Sequence, residues 1–137
     1  MSGLAAVLAG RHARGVFRWH ASYDVEDVRH TVEHSGWTFG YADGWGTESV
    51  AEFHGLIASA LAFPDYYGRN LDALWDCLTD LAEPTVLLWD GWGPLAHADR
   101  KGFDRLLAVM LERTARRPPF SVLLRGEGPD VDVPSLD

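Results

Sequence analysis

A chain of 137 residues, 47% of them hydrophobic, suits one globular domain and excludes a disordered segment. A formal net charge of −8 argues against a phosphate-bearing partner such as a nucleic acid, whose binding domains cluster Lys and Arg, and for a basic partner or simple solubility. No apolar run approaches the ~20 residues of a membrane span, and the lone Cys77 forbids an internal disulfide, so no membrane is expected and a cytoplasmic, reducing setting is.

Residues 1–14 contain LAAVLAG, too short for a secretory apolar region, with Arg11 and Arg14 after it and not before; a loose N-terminus is expected. Residues 15–19 read as a strand. Asp24 caps a helix running to about Ser35, with Val25, Val28 and Val32 on one face and Gly36 as its stop. A second strand spans 37–42. Ser49 and Glu52 have capping-box spacing ahead of a helix whose inner face is Val50, Phe53, Ile57 and Ala60, ended by Phe63-Pro64.

Asn70 can cap the next helix, from Leu71 to Leu81, in which Leu71, Leu74, Leu78 and Leu81 form an apolar stripe. After a turn at Pro84 comes a buried strand, 85–89. A long helix follows from about Asp99 to Arg116, with Phe103, Leu106, Leu107, Met110 and Leu111 inside and Arg113, Arg116 and Arg117 suiting the dipole of its last turns. Residues 120–124 form the closing strand. Residues 126–137 are expected to be a loose tail whose removal leaves folding intact. The alternation of strands and helices predicts an α/β domain over residues 15–125, a small, mainly parallel sheet covered by helices.

Several stretches could carry chemistry. The tetrapeptide DGWG occurs at 43–46 and 90–93, each time between a strand and a helix; neither copy completes a phosphate-binding motif, and both read as tight turns. His30, Glu33 and His34 spell H-x-x-E-H, a zinc-hydrolase pattern, on a helix of only about three turns with no clear third ligand. The other histidines, at 12, 20, 54 and 97, are scattered and fit surface or half-buried positions. Asp72 and Asp76 point the same way one turn apart, so no glycoside fits between them. Cys77 stands among buried leucines, where a thiolate is disfavoured. No catalytic residue, cofactor or metal is therefore assigned.

The helix after Asn70 does break local rules. Asp72, Asp76 and Thr79 lie opposite the leucine stripe, with Asp80 beside them and Trp75 on the flank. Asp72 suits the helix N-terminus, but Asp76 and Asp80 are poor helix formers with like charges at i,i+4, at a cost of about 0.2–0.5 kcal/mol per pair. Such local sacrifice without compensation marks a functional surface.

The same stretch resembles the barstar family of intracellular ribonuclease inhibitors. The matching residues are Pro64, Tyr66, Tyr67, Gly68 and the unbroken run Asn70–Thr79, within a strongest match over 63–81 and a coarser one over 37–125. The resemblance implies a barstar-like fold with an extra N-terminal strand and helix. It also implies a non-enzymatic protein that binds one-to-one to a ribonuclease with a basic active site. In that reading Asp76 is the central carboxylate among the nuclease's cationic groups, Asp72 pairs with a neighbouring Arg, and Tyr66 stacks on the catalytic His. Tyr67, Gly68 and Asn70 line the loop contact, Trp75 and Thr79 complete the helix face with Asp80 at its end, and Glu112 supplies a carboxylate from the last helix. Three positions depart from the family: Arg69 replaces an acidic residue, Asp80 a glycine and Leu81 an aromatic. The alternatives are a similar interaction module with a partner other than a ribonuclease, and a small hydrolase built on His30, Glu33 and His34.

Overall fold

The computed structural model describes all 137 residues. Its elements are, in order, α1 (Ser2–Leu8), β1 (Val16–Trp19), α2 (Val25–His34), β2 (Thr38–Asp43), α3 (Val50–Ala60), α4 (Leu71–Thr79), β3 (Thr85–Asp90), α5 (Gly93–Ala98), α6 (Arg100–Thr114), β4 (Phe120–Arg125) and β5 (Ser135–Leu136). The five strands form one sheet in the order β2-β3-β4-β1-β5, with every pairing parallel. None of the six helices is long and apolar enough to cross a membrane.

Strand side chains alternate between two cores, as a pleated backbone requires. On one face Phe17, Phe39, Val86, Leu88 and Leu123 pack with Leu4 and Val7 of α1 and Val28 and Val32 of α2. On the other, Leu87, Trp89, Val122 and Leu124 pack with Phe53 and Ile57 of α3, Leu74 and Leu78 of α4, Leu95 of α5, and Phe103, Leu106 and Met110 of α6. Burial on both faces explains the nearly unbroken apolar runs of β3 and β4. The register Asp43↔Asp90↔Arg125 brings the carboxyl ends of β2, β3 and β4 level, and a one-residue slip would exchange the two cores.

Two stretches expected to be loose are ordered parts of the domain. Residues 2–8 form α1, with Leu4 and Val7 buried. In the tail, Leu136 is buried on β5, Arg18 N–H donates to the Pro134 carbonyl, and Gly3 N–H donates to the Asp137 carbonyl. The two termini thus make a single extension beside β4, in which β1 pairs Val16 with Val122 and β5 pairs Ser135 with Arg18. Neither terminal piece has enough apolar residues to stand alone; each becomes ordered only against the other and the sheet.

Other expectations shift locally. The helix ahead of α6 was not anticipated: α5 starts at Gly93 with Pro94 in its first turn, directly after the second DGWG. The two DGWG turns lie side by side, with Gly44 N–H donating to the Asp90 carbonyl. Gly91 has φ +85°, and its bare α-carbon lets the Trp45 ring lie on the backbone. Leu111 is exposed and not part of the α6 inner face, which continues instead through Arg113 and Thr114. Leu81 falls outside α4, which ends at Thr79 with Asp80 as its C-cap.

Candidate functional site

The segment between α3 and α4 is built around a turn. Tyr67 N–H donates to the Pro64 carbonyl, closing Pro64–Tyr67 and sending two neighbouring tyrosines opposite ways. Tyr66 projects into solvent, 86% exposed. Tyr67 turns inward, edge-on to Phe63 at 5.0 Å, and its hydroxyl lies 2.6 Å from His54 Nδ1. Burial pushes the Tyr67 phenol up to about 12 and the His54 imidazole below its ordinary range, with Arg69 adding to the effect on His54. The Tyr67 side chain props the loop from beneath while its edge still lines a hollow beside Tyr66 and Gly68, and His54 is buried where a surface or half-buried position was expected.

Asn70 joins loop to helix. Its Oδ1 accepts from Ala73 N–H at 2.8 Å, capping α4 as its sequence position predicts, while Nδ2 donates to the Gly68 carbonyl at 3.3 Å. Both ends of this side chain are therefore committed to shaping the loop. Arg69, immediately before it, is held in the left-handed region at φ +53°, a conformation uncommon for residues other than Gly, Asn and Asp.

On α4, Leu74 and Leu78 are fully buried, and Asp72, Asp76 and Asp80 are exposed along the opposite side. The Asp76 carbonyl accepts from Thr79 Oγ1 at 2.9 Å and from Asp80 N–H at 3.0 Å, which closes the last turn. Trp75 is half-buried on the flank facing α6, and the Arg116 guanidinium lies 5.0 Å from its ring centroid. Cys77, on the other flank, is also half-buried; desolvation, with Asp80 and Asp76 nearby, pushes its thiol up, so it is a poor nucleophile. Glu112 is exposed on α6, which packs beside α4.

Between the loop and α4 lies an open hollow of about 500 Å³, lined among others by Tyr66, Gly68, Asp76, Thr79 and Asp80. These expected site residues are thus brought together. Asp72 and Trp75 stand outside the hollow, and Glu112 is on a separate helix. His30 and His34 stack at 5.9 Å on the exposed side of α2, and no group of three His, Cys, Asp or Glu in the chain is placed to hold a metal ion.

The structure adds a residue that was assigned a different role. Arg113, expected only as one of the cations suiting the dipole at the end of α6, is fully buried. Its Nε donates to the Leu78 carbonyl at 2.7 Å and its guanidinium lies 5.6 Å from the Phe120 ring centroid. Burial, with Arg14 and Arg116 nearby, pulls its pKa down. The signal was present in the sequence, because Arg113 continues the Phe103, Leu106, Met110 stripe at helical spacing.

An all-parallel sheet covered on both faces, with an acidic helix and a tyrosine turn displayed on one side, defines a small α/β protein that offers a surface and not an enclosed cleft. The model of the family described as Barstar (barnase inhibitor) matches residues 37–125, β2 through β4. The chain belongs to the barstar family, with α1, β1, α2 and β5 lying outside the matched region. A Bacillus subtilis (strain 168) protein named "Putative ribonuclease inhibitor YrdF" is 60% identical over 37 residues. That similarity spans 27% of this chain and 41% of the relative's own length.

Proposed function

We propose that this protein is a cytoplasmic inhibitor of a ribonuclease, binding one-to-one by setting the acidic face of α4 and the Tyr66 turn into a basic active site. One observation carries the reading. Asp76 is exposed at mid-helix and lines the same hollow as Tyr66, Gly68 and Thr79, so carboxylate, aromatic ring and loop can engage one partner together. A ribonuclease active site concentrates cations to hold a phosphodiester, and carboxylates can occupy that field in its place. Asp72 and Asp80 extend the negative face, Trp75 adds apolar area at its flank, and Glu112 adds a carboxylate from α6. Tyr67 and Asn70 act from below by holding the loop. Opposite charges also steer the encounter, which raises the association rate.

The family name and the name of the 60% identical relative support a ribonuclease as partner. A non-ribonuclease partner is the second reading, favoured by Arg69, which places a positive charge where the family carries an acidic residue. Immobilised protein should retain a ribonuclease from lysates of its host, and the purified protein should abolish that enzyme's cleavage of RNA at a one-to-one ratio. If the retained protein lacks nuclease activity, or keeps it in the complex, the inhibitory reading fails and the second one stands.

A further inference from the structure

Three helices begin at one place. Residues from the first turns of α3, α4 and α6 line a concavity of about 630 Å³ beside the Arg69 loop. Each helix start contributes partial positive charge, although Ser49, Asn70 and Asp99 each already cap one of its N–H groups. Arg69, Lys101 and Arg105 line the same hollow, and none of them takes part in the chain's ion pairs, which are Arg29–Glu26, Arg100–Asp104 and Arg125–Asp90. The one carboxylate in the lining is Asp99, whose Oδ1 already accepts from Gly102 N–H at 2.9 Å. In a chain with 12 Lys and Arg against 20 Asp and Glu, unpaired cations gathered round one hollow are not the scatter that composition predicts.

A buried side chain points to the ligand independently. His54 is 3% exposed and lines the hollow. Its Nδ1 meets the Tyr67 hydroxyl at 2.6 Å. If the buried hydroxyl donates to Nδ1, no hydrogen is stranded; the reverse arrangement would orphan the hydroxyl proton. Burial and Arg69 favour the neutral ring, and a neutral ring that accepts from Tyr67 at Nδ1 carries its proton on Nε2. Nε2 makes no hydrogen bond within the chain and keeps some solvent access, and His54 lines the hollow.

We propose that this hollow binds a small phosphorylated molecule of the sugar-phosphate class, with Arg69, Lys101, Arg105 and His54 Nε2–H around the phosphate. Several donors and three cations match a phosphate, which carries nearly two charges and several acceptor oxygens, better than a carboxylate. The volume leaves room for an organic part, and Asp99 Oδ2 is free to accept from a hydroxyl. No exposed aromatic face lines the hollow for a nucleobase to stack on. Exposed carboxylates outside the lining oppose an anion only weakly, because charges beyond about 8–10 Å are screened at physiological salt, and the lining itself carries three cations against one carboxylate. Asp72, Asp76 and Asp80 do not line this hollow, although Arg69 and Asn70 of the contact loop do, so variants at Asp76 and at Lys101 and Arg105 separate the two sites.

The test is a titration of the isotope-labelled full chain with ribose 5-phosphate, inorganic phosphate and ribose, in phosphate-free buffer at about 0.15 M salt. Ribose 5-phosphate should produce saturable amide shifts at Arg69, Gly102 and His54, and ribose none. The exposed double variant Lys101→Glu/Arg105→Glu, checked by an otherwise unchanged amide spectrum, should weaken binding at least about tenfold. Arg105→Gln, which is milder, should move it in the same direction. Asp76→Ala should bind the sugar phosphate like the native chain. Shifts that do not saturate, that persist in the double variant, or that ribose reproduces would overturn the site. Inorganic phosphate binding as tightly as ribose 5-phosphate would overturn the sugar-phosphate assignment.

Discussion

The buried guanidinium of Arg113 donates from Nε to the backbone carbonyl of Leu78 at 2.7 Å, tying α6 to the last turn of α4. That carbonyl is one of the four a helix leaves without an i+4 partner, and it faces protein, not water. The acidic helix is therefore held at its start by Asn70 and at its end by an arginine from a neighbouring helix. Trp75, on the same flank, lies under Arg116 of the same arginine-rich end of α6.

Removing the Arg113 clamp should cost stability. Arg113→Ala is expected to destabilise by about 2–4 kcal/mol, because it empties packed volume and leaves the Leu78 carbonyl with only the long 3.4 Å bond from Leu81 N–H. Arg113→Met should lose less, since it keeps the apolar stem and removes a buried cation that has no anionic partner. Denaturant unfolding of the two variants checks the order; equal losses would show that stem packing contributes nothing.

Opposite faces of α4 should respond in opposite ways. Leu74→Ala should cost about 2–5 kcal/mol in stability, because Leu74 is fully buried. Asp76→Ala should leave the free protein as stable or slightly more so, since it relieves like-charge pairs with Asp72 and Asp80 and raises helix propensity. In the complex the same change leaves partner cations without a counter-charge, costing about 2–5 kcal/mol of affinity. Thermal unfolding beside affinity for the captured ribonuclease makes the comparison. An affinity within about threefold of native would remove the acidic face from the inhibitory site.

Truncation after Gly126 should destabilise the domain. It deletes β5, the buried Leu136, and the half-buried Val131 and Val133 that pack on the larger core. Leu136→Ala alone is expected to cost about 2–5 kcal/mol, and the truncation more. An unchanged melting temperature on truncation would show that the tail contributes nothing to the fold.

Stability should fall as pH drops below about 6.5, in part through His54. Its folded pKa is lowered from that value by burial and then by Arg69. Above 6.5 the ring is neutral in both states and contributes no slope. Below it the unfolded chain binds the proton and the folded one resists, so stability declines until pH reaches the folded pKa. His54→Gln retains an acceptor for Tyr67 and removes the titration. Melting temperatures from pH 7.5 to 5 should fall less steeply in that variant than in the native chain.

Local signals sufficed wherever the determining residues are near neighbours in sequence. Asn70 caps α4 through Ala73, Ser49 caps α3 through Glu52, and alternate residues of β3 divide between two cores, all within a few residues. The exposed aspartates of α4 follow from helical spacing alone, and Pro64, Tyr66, Tyr67 and Gly68 with the run Asn70–Thr79 carry the family resemblance. Tertiary structure decided what depends on distant partners. β1 lies beside β4, pairing Val16 with Val122 far along the chain, because its hydrogen-bonding groups find their match there. Residues 2–8 and 135–136, too short to order separately, are stabilised by joint burial against the sheet. Tyr66 and Tyr67 are identical in type and adjacent in sequence; the turn between them, with His54 waiting below, sends one outward and one inward. Arg113 reads as one of several cations suiting the helix dipole until α4 places the Leu78 carbonyl 2.7 Å from its Nε. Periodicity reports which way a side chain points from its own helix or strand, and only the packed neighbours determine what it meets there.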